Sequence, residues 1–332
     1  MTHQTSRGSS RRNLVLGAVG AALAGLQGTS WAADAGFPAK PVIFIIPFPA
    51  GGSTDRLMRT IAKVAGDVIG QPLVIDARPG GSAMIAAQLL ARAKPDGYTI
   101  GVLPLSIDRQ RLLGKTKLEL KDFTPLARVA GQTFGIVSKP GSPFNSIADV
   151  VRLAKEKPGT VTYGTSGIAS TTHVGMEDFS QMAGIKLLHI PFKGGAESST
   201  ALQGGQIDLL VEAAFWVPLV EAGKMRALAV WTEQRVPQLP STPTMKELGY
   251  DLVITSPFGI GAPAGLDPQA SLKLRQALRK AILSPEFKAE CDKILAPVMY
   301  QDVEEFQKFA QANYAIEKAL IERINLKDKL QE

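Results

Sequence analysis

Apolar positions recur along this chain in two rhythms. Val42-Ile43-Phe44-Ile45-Ile46 is an unbroken apolar run between prolines, and its length and β-branching predict a fully buried strand. Past the Gly/Pro segment 47–53, Leu57, Ile61, Val64 and Val68 follow near-helical spacing and predict a helix over 54–69. Leu73-Val74-Ile75 predicts a second strand and Arg78-Pro79-Gly80-Gly81-Ser82 a turn; Ile85, Leu89 and Leu90 mark the apolar side of a second helix. Pro95-Asp96-Gly97 then turns into a strand over 98–103. Strand, loop and helix in repeated succession predict a parallel sheet covered by helices.

The pattern restarts at Phe134-Gly135-Ile136-Val137, read as a strand. A helix is predicted over 147–155, opened by Ser146 as N-cap and stopped by Pro158-Gly159. Val161-Thr162-Tyr163 reads as a strand running into Gly164-Thr165-Ser166-Gly167, with a helix starting near Thr171. Short strands are predicted over 187–190, 209–211 and 225–230, and Phe258-Gly259-Ile260-Gly261 is the last strand-like segment. Beyond Pro268 the expectation is wholly helical, over 270–283, 285–294 and 303–324. Helices after two α/β runs suggest a chain that crosses into a second lobe and comes back.

The first 32 residues stand apart. Ser10-Arg11-Arg12-Asn13 precedes the apolar run 14–24, and Ser30-Trp31-Ala32 supplies small residues for a signal peptidase. This order predicts a cleaved secretory leader over 1–32, and the paired arginines favour the twin-arginine route over the general one. The run is about half the ~20 residues that span a bilayer. The remaining chain is therefore expected to begin near Ala33 in the periplasm. The net charge is +7, of which Arg7, Arg11 and Arg12 in the leader carry three, leaving +4. That mild balance suits anions; nucleic acid would want a clustered basic stripe, and there is none. The single Cys291 has no internal partner and reads as a core residue.

Three loops carry the candidate chemistry. Pro47-Phe48-Pro49-Ala50-Gly51-Gly52-Ser53-Thr54-Asp55 joins a strand to a helix, where unpaired N–H groups and the helix dipole favour an anion. It lacks the lysine of a nucleotide P-loop. A plain turn capped by Ser53, Thr54 or Asp55 explains it equally well. Tyr163-Gly164-Thr165-Ser166-Gly167-Ile168-Ala169-Ser170-Thr171-Thr172-His173 has more hydroxyls than N-capping requires. Pro191-Phe192-Lys193-Gly194-Gly195-Ala196-Glu197 repeats the arrangement, with the amides of 194–196 better placed than Lys193. In open α/β sheets such loops lie together at the carboxyl ends of strands. His173 and His189 lack metal-ligand spacing, and Gly-x-Ser-x-Gly is absent. No catalytic residue, metal or cofactor is expected.

These loops, in this order, resemble the Bug-type periplasmic solute receptors of tripartite tricarboxylate transporters. The likeness rests on Pro-Phe-x-x-Gly-Gly-x-x-Asp at 47–55, Arg78-Pro79-Gly80, Pro95-Asp96-Gly97-Tyr98-Thr99 and the loops at 163–173 and 191–196. It continues with Gly204-Gly205-Gln206-Ile207-Asp208, Ala222-Gly223-Lys224-Met225-Arg226 and Phe258-Gly259-Ile260-Gly261-Ala262-Pro263. The resemblance implies an α/β type II periplasmic-binding-protein fold, with lobe one over 33–133 and 257–332 and lobe two over 134–256. It implies a ligand cleft bordered by Phe48, Ala50, Gly51, Gly52, Ser53 and Thr54 from lobe one. Ser166, Gly167, Ser170, Thr171, Gly194, Gly195 and Ala196 face it from lobe two. The chain departs from the family at Pro104-Leu105-Ser106-Ile107-Asp108-Arg109 and at Glu212-Ala213-Ala214-Phe215-Trp216. Both stretches face the cleft in the family, which adds Ser106, Arg109 and Glu212 to the expected site. Arg109 is a candidate clamp for a second carboxylate, and Phe215 or Trp216 for stacking on an aromatic ligand, against the alternative of a solvated arginine and core aromatics. The function implied is a monomeric receptor that delivers a small organic (di)carboxylate to transporter membrane subunits. A ligand-sensing partner of a membrane sensor kinase, or a periplasmic hydrolase, is the alternative.

Overall fold

The computed structural model describes Met1 and residues 36–330, apart from Leu105, Thr255 and Pro257. The expected leader, from residue 2 onward, lies outside the described residues. Phe37–Glu332 forms one compact unit containing two sheets.

The first sheet begins with β1 (Val42–Ile46), α1 (Ser53–Ile69), β2 (Leu73–Ala77), α2 (Met84–Arg92), β3 (Thr99–Pro104), α3 (Ile107–Leu112) and β4 (Phe123–Ala130). Residues 131–133 then lead into the second sheet. This contains β5 (Phe134–Ser138), α4 (Ile147–Glu156), β6 (Thr162–Thr165), α5 (Thr171–Ala183) and β7 (Leu188–Pro191). It ends with α6 (Gly195–Gln203), β8 (Leu209–Ala213), α7 (Val217–Glu221) and β9 (Arg226–Val230). The chain returns through β10 (Phe258–Pro263), α8 (Pro268–Ile282), α9 (Pro285–Lys293), β11 (Val298–Gln301), α10 (Val303–Arg323) and α11 (Leu326–Lys329).

The strand orders are β11-β4-β10-β3-β1-β2 and β7-β6-β8-β5-β9. In the first sheet β1 runs parallel to β2 and β3, while β10 lies antiparallel between β3 and β4. In the second, β6 runs parallel to β7 and β8, and β5 lies antiparallel between β8 and β9. Each sheet is thus a parallel α/β core completed by a strand delivered across a crossover. These are the two lobes.

The core of lobe one is Val42, Phe44 and Ile46 of β1 against Leu57, Met58 and Ile61 of α1, all without solvent exposure. Each such side chain contributes roughly 1.5–3 kcal/mol relative to an exposed one. Ile43 is 37% exposed, so β1 is not fully buried as its unbroken apolar run predicts. The apolar side of α2 also differs from expectation. Met84, Ala86, Ala87 and Leu90 are buried while Ile85 and Leu89 stand exposed. Two alanines let the helix lie close to the sheet, and that small-residue face is invisible to a count of large side chains. The chain beyond Pro268 is not wholly helical, since β11 adds an edge strand pairing with β4. Cys291 is buried, as a core residue should be.

Candidate functional site

The loop after β1 closes on itself before the helix begins. Gly51 takes φ +91°, a left-handed conformation natural to glycine, and its N–H donates to Oδ2 of Asp55 at 3.0 Å. The other oxygen of Asp55 accepts from Arg59 at 2.8 Å. Gly52 is the N-cap of α1 and no side chain caps it, so Ser53 and Thr54 are not capping residues. The buried Ser53 hydroxyl has no protein partner, and Thr54 Oγ1 accepts from Gln132 at 3.3 Å. The first main-chain bond of the helix is Arg56 N–H to Gly52 O, which leaves the preceding amides open.

The loop before α6 uses the same device: Lys193 N–H donates to Oε2 of Glu197 at 2.9 Å, four residues on. At the start of α5, Ser170 does act as a cap, accepting from His173 N–H at 3.2 Å. Thr171 Oγ1 lies 3.3 Å from Ser256 Oγ, in the segment returning to lobe one.

These loops border one cavity between the lobes, with about 80 Å³ open to the centres of water molecules. That is room for roughly half a dozen waters, and so for a small molecule. Phe48, Gly52, Ser53, Thr54 and Ser106 border it from one side; Ser166, Ser170, Thr171, Gly195 and Glu212 from the other. Ala50, Gly51, Gly167, Gly194 and Ala196 do not border it. Gly51, Gly167, Gly194 and Ala196 stand where the lobes meet. A Cβ on Gly194 would fall 2.5 Å from Pro49 Cδ, one on Gly51 3.9 Å from Ala196 Cβ, and one on Gly167 2.7 Å from Ser82 Oγ.

Arg109 is not in the cavity either. Its guanidinium grips Glu317 with two hydrogen bonds, of 2.7 and 2.6 Å, and donates to the Ala169 carbonyl of lobe two at 3.2 Å. With both partners buried, it is committed to the fold and not available to clamp a carboxylate. It is not a solvated arginine either. Phe215 borders the cavity, whereas Trp216 is fully buried, its indole N–H donating to the Glu212 carbonyl at 3.1 Å.

Sequence reasoning passed over Ser82, Ala83, Gln132, Phe134, Ser256 and Phe258, all of which border the cavity. For Ser82 a signal existed, because Gly80-Gly81-Ser82 repeats Gly51-Gly52-Ser53. Ser82 and Ala83 take φ of +50° and +77°, and the Ser82 hydroxyl donates to the Ile168 carbonyl across the cleft at 2.6 Å. Left-handed non-glycine residues held by such a contact are a mark of functional loops.

Among the described residues bordering the cavity, Glu212 alone has an ionisable side chain. It is 6% exposed, and its Oε1 has no hydrogen-bond partner. Burial pushes its carboxyl up from 4.5 to about 7, although hydrogen bonds from Ser166 and the Ala213 amide pull the other way. A folded pKa above the unfolded one means that the native state holds the proton more tightly. The associated stability is then complete below pH 4.5 and is lost as pH rises through about 7. Chemical unfolding of the ligand-free protein should therefore show a fall in stability from pH 5 to 8, on the order of 2 kcal/mol, that Glu212→Gln abolishes.

The two histidines build no nucleophile in the cavity. Their rings stack at 3.9 Å, His173 Nδ1 accepts from Ala169 N–H at 2.9 Å, and His189 Nε2 lies 2.7 Å from the fully buried Thr165 hydroxyl. Burial holds them well below the ordinary imidazole value, at about 4 and about 3.

A family profile described as tripartite tricarboxylate transporter family receptor matches residues 57–326. A protein from the gbd 5' region of Cupriavidus necator, designated UPF0065, is 36% identical over 291 residues, 87% of this chain and 89% of its own. Among solved structures, the periplasmic binding protein BugD superposes with a TM-score of 0.83 at 27% identity, covering 87% of this chain and 99% of its own. An R. palustris protein solved with adipate gives 0.82 at 30% identity, with the same coverage.

Proposed function

Because the chain belongs to the tripartite tricarboxylate transporter receptor family, we propose that it is a periplasmic receptor, working as a monomer, that closes around a small organic carboxylate and delivers it to transporter membrane subunits. The observation that carries this reading is one cavity bordered by the openings of α1, α5 and α6, drawn from both lobes. Amides ahead of the first helical bond, together with the hydroxyls of Ser53, Thr54, Ser166 and Thr171, offer a carboxylate many donors and no fixed positive charge. Each is worth more once closure removes water from around the anion. The adipate-bound relative supports the same ligand chemistry. Phe48, Phe134, Phe215 and Phe258 also border the cavity and suit an apolar or aromatic ligand body.

The test is a melting-temperature screen of the protein against mono-, di- and aromatic carboxylates. A true ligand at ~100 times its dissociation constant adds ~2.7 kcal/mol of apparent stability. A flat response to every carboxylate, with stabilisation by sugars or metal cations instead, overturns the reading.

A further inference from the structure

Glu212 is an unexpected side chain in a cavity assigned to an anion. The end of β8 carries it into the site, where Phe215, one turn on, presses on Gly195: a Cβ there would fall 2.6 Å from Phe215 Cε1 and 3.3 Å from Glu212 Oε2. The carboxyl thus lies against the opening of α6. Among the described residues, no donor reaches its Oε1. A buried acceptor oxygen without a donor is costly to leave unmade. Among the described residues, no lysine, arginine or histidine borders the cavity to serve it.

With no protein donor at hand, a ligand in the cavity can supply one. A dicarboxylate would bring two further negative charges beside Glu212 and phenylalanine faces, whose quadrupoles repel anions. A ligand with one carboxylate and one protonated nitrogen meets both ends of the site. Its carboxylate goes to the helix openings and its N–H to the Glu212 carboxyl, with the rings of Phe134 and Phe215 beside the cavity favouring a cation. Resting on the carboxylate-receptor reading above, we propose that this cavity selects a carboxylate carrying a protonated nitrogen, and that Glu212 is the residue that selects it.

Matched pairs test this by calorimetry: γ-aminobutyrate against succinate, δ-aminovalerate against glutarate, and para-aminomethylbenzoate against terephthalate. In at least one pair the amino acid should bind about ten-fold or more tightly than its dicarboxylate, the worth of a hydrogen bond to a charged group. Glu212→Gln should erase that preference, the amino acid losing its ten-fold advantage over its dicarboxylate. Glu212→Asp, which keeps the charge but shortens its reach, should reduce it. Dicarboxylates binding more tightly than their partners, with a proton taken up as shown by buffer-dependent enthalpies, would overturn selection by nitrogen and leave the carboxylate receptor standing. So would a preference unchanged in Glu212→Gln. If no member of any pair binds, the receptor reading falls and this inference with it.

Discussion

Gly194→Val weakens capture of a carboxylate by about ten- to a hundred-fold while leaving the ligand-free protein nearly as stable as before. At φ 174° and ψ 172° Gly194 has extended backbone that any residue adopts, so lobe two accepts the valine without strain. The penalty arises across the cleft. A Cβ at 194 meets Pro49 Cδ at 2.5 Å and Cγ at 2.9 Å, and a proline ring has no rotamer by which to retreat. Overpacking of this kind costs about 1–3 kcal/mol, and any arrangement in which the lobes part at Pro49 escapes it. Calorimetry would give the affinity, and small-angle scattering should show that the variant no longer contracts on adding ligand. Unchanged affinity would mean that the lobes need not meet at Pro49 for the ligand to be held.

Arg109→Ala has the largest expected effect on stability, about 3–5 kcal/mol, because it strands Glu317 as an unpaired buried charge. Denaturant titration reads this directly as a lower midpoint. The double variant Arg109→Met/Glu317→Leu should regain most of the loss, since an apolar pair of similar volume removes the stranded charge. It should not regain full ligand affinity, because the bond from Arg109 to the Ala169 carbonyl, which ties the lobes together, is still missing. A single variant of unaltered stability that had lost ligand binding would instead make Arg109 a direct ligand contact.

The three glycine-bearing loops were legible in the sequence because each has the same grammar, a strand followed by small residues and a helix. Repetition of that grammar gave the helix-covered parallel core of each sheet, while the two-lobed fold came only from the resemblance and the antiparallel strands from neither. What stayed hidden depended on pairings distant in sequence. Arg109 reads as a free cation until Glu317, 208 residues later, is seen to take it. Pro125 and Arg128 disguised β4, a strand whose partners are β10 and β11. Ser256 and Phe258 reach the cavity only because the returning chain passes it, and no local pattern announces that. Glu212 was legible as a departure from the family, but its isolation from every basic side chain was not.

The position of β10 bears on how the protein is made. Its neighbours β3 and β4 are both complete by residue 130, yet the slot between them waits for residues 258–263. A nascent polypeptide that has emerged only to residue 250 therefore carries three strand edges awaiting partners, one of β3 and both of β4, the kind of surface that recruits other chains. The second sheet is drawn entirely from residues 134–230 and has no such debt to later sequence. Lobe two can mature during synthesis, whereas lobe one is finished only after residues 258–263 and 298–301 have followed.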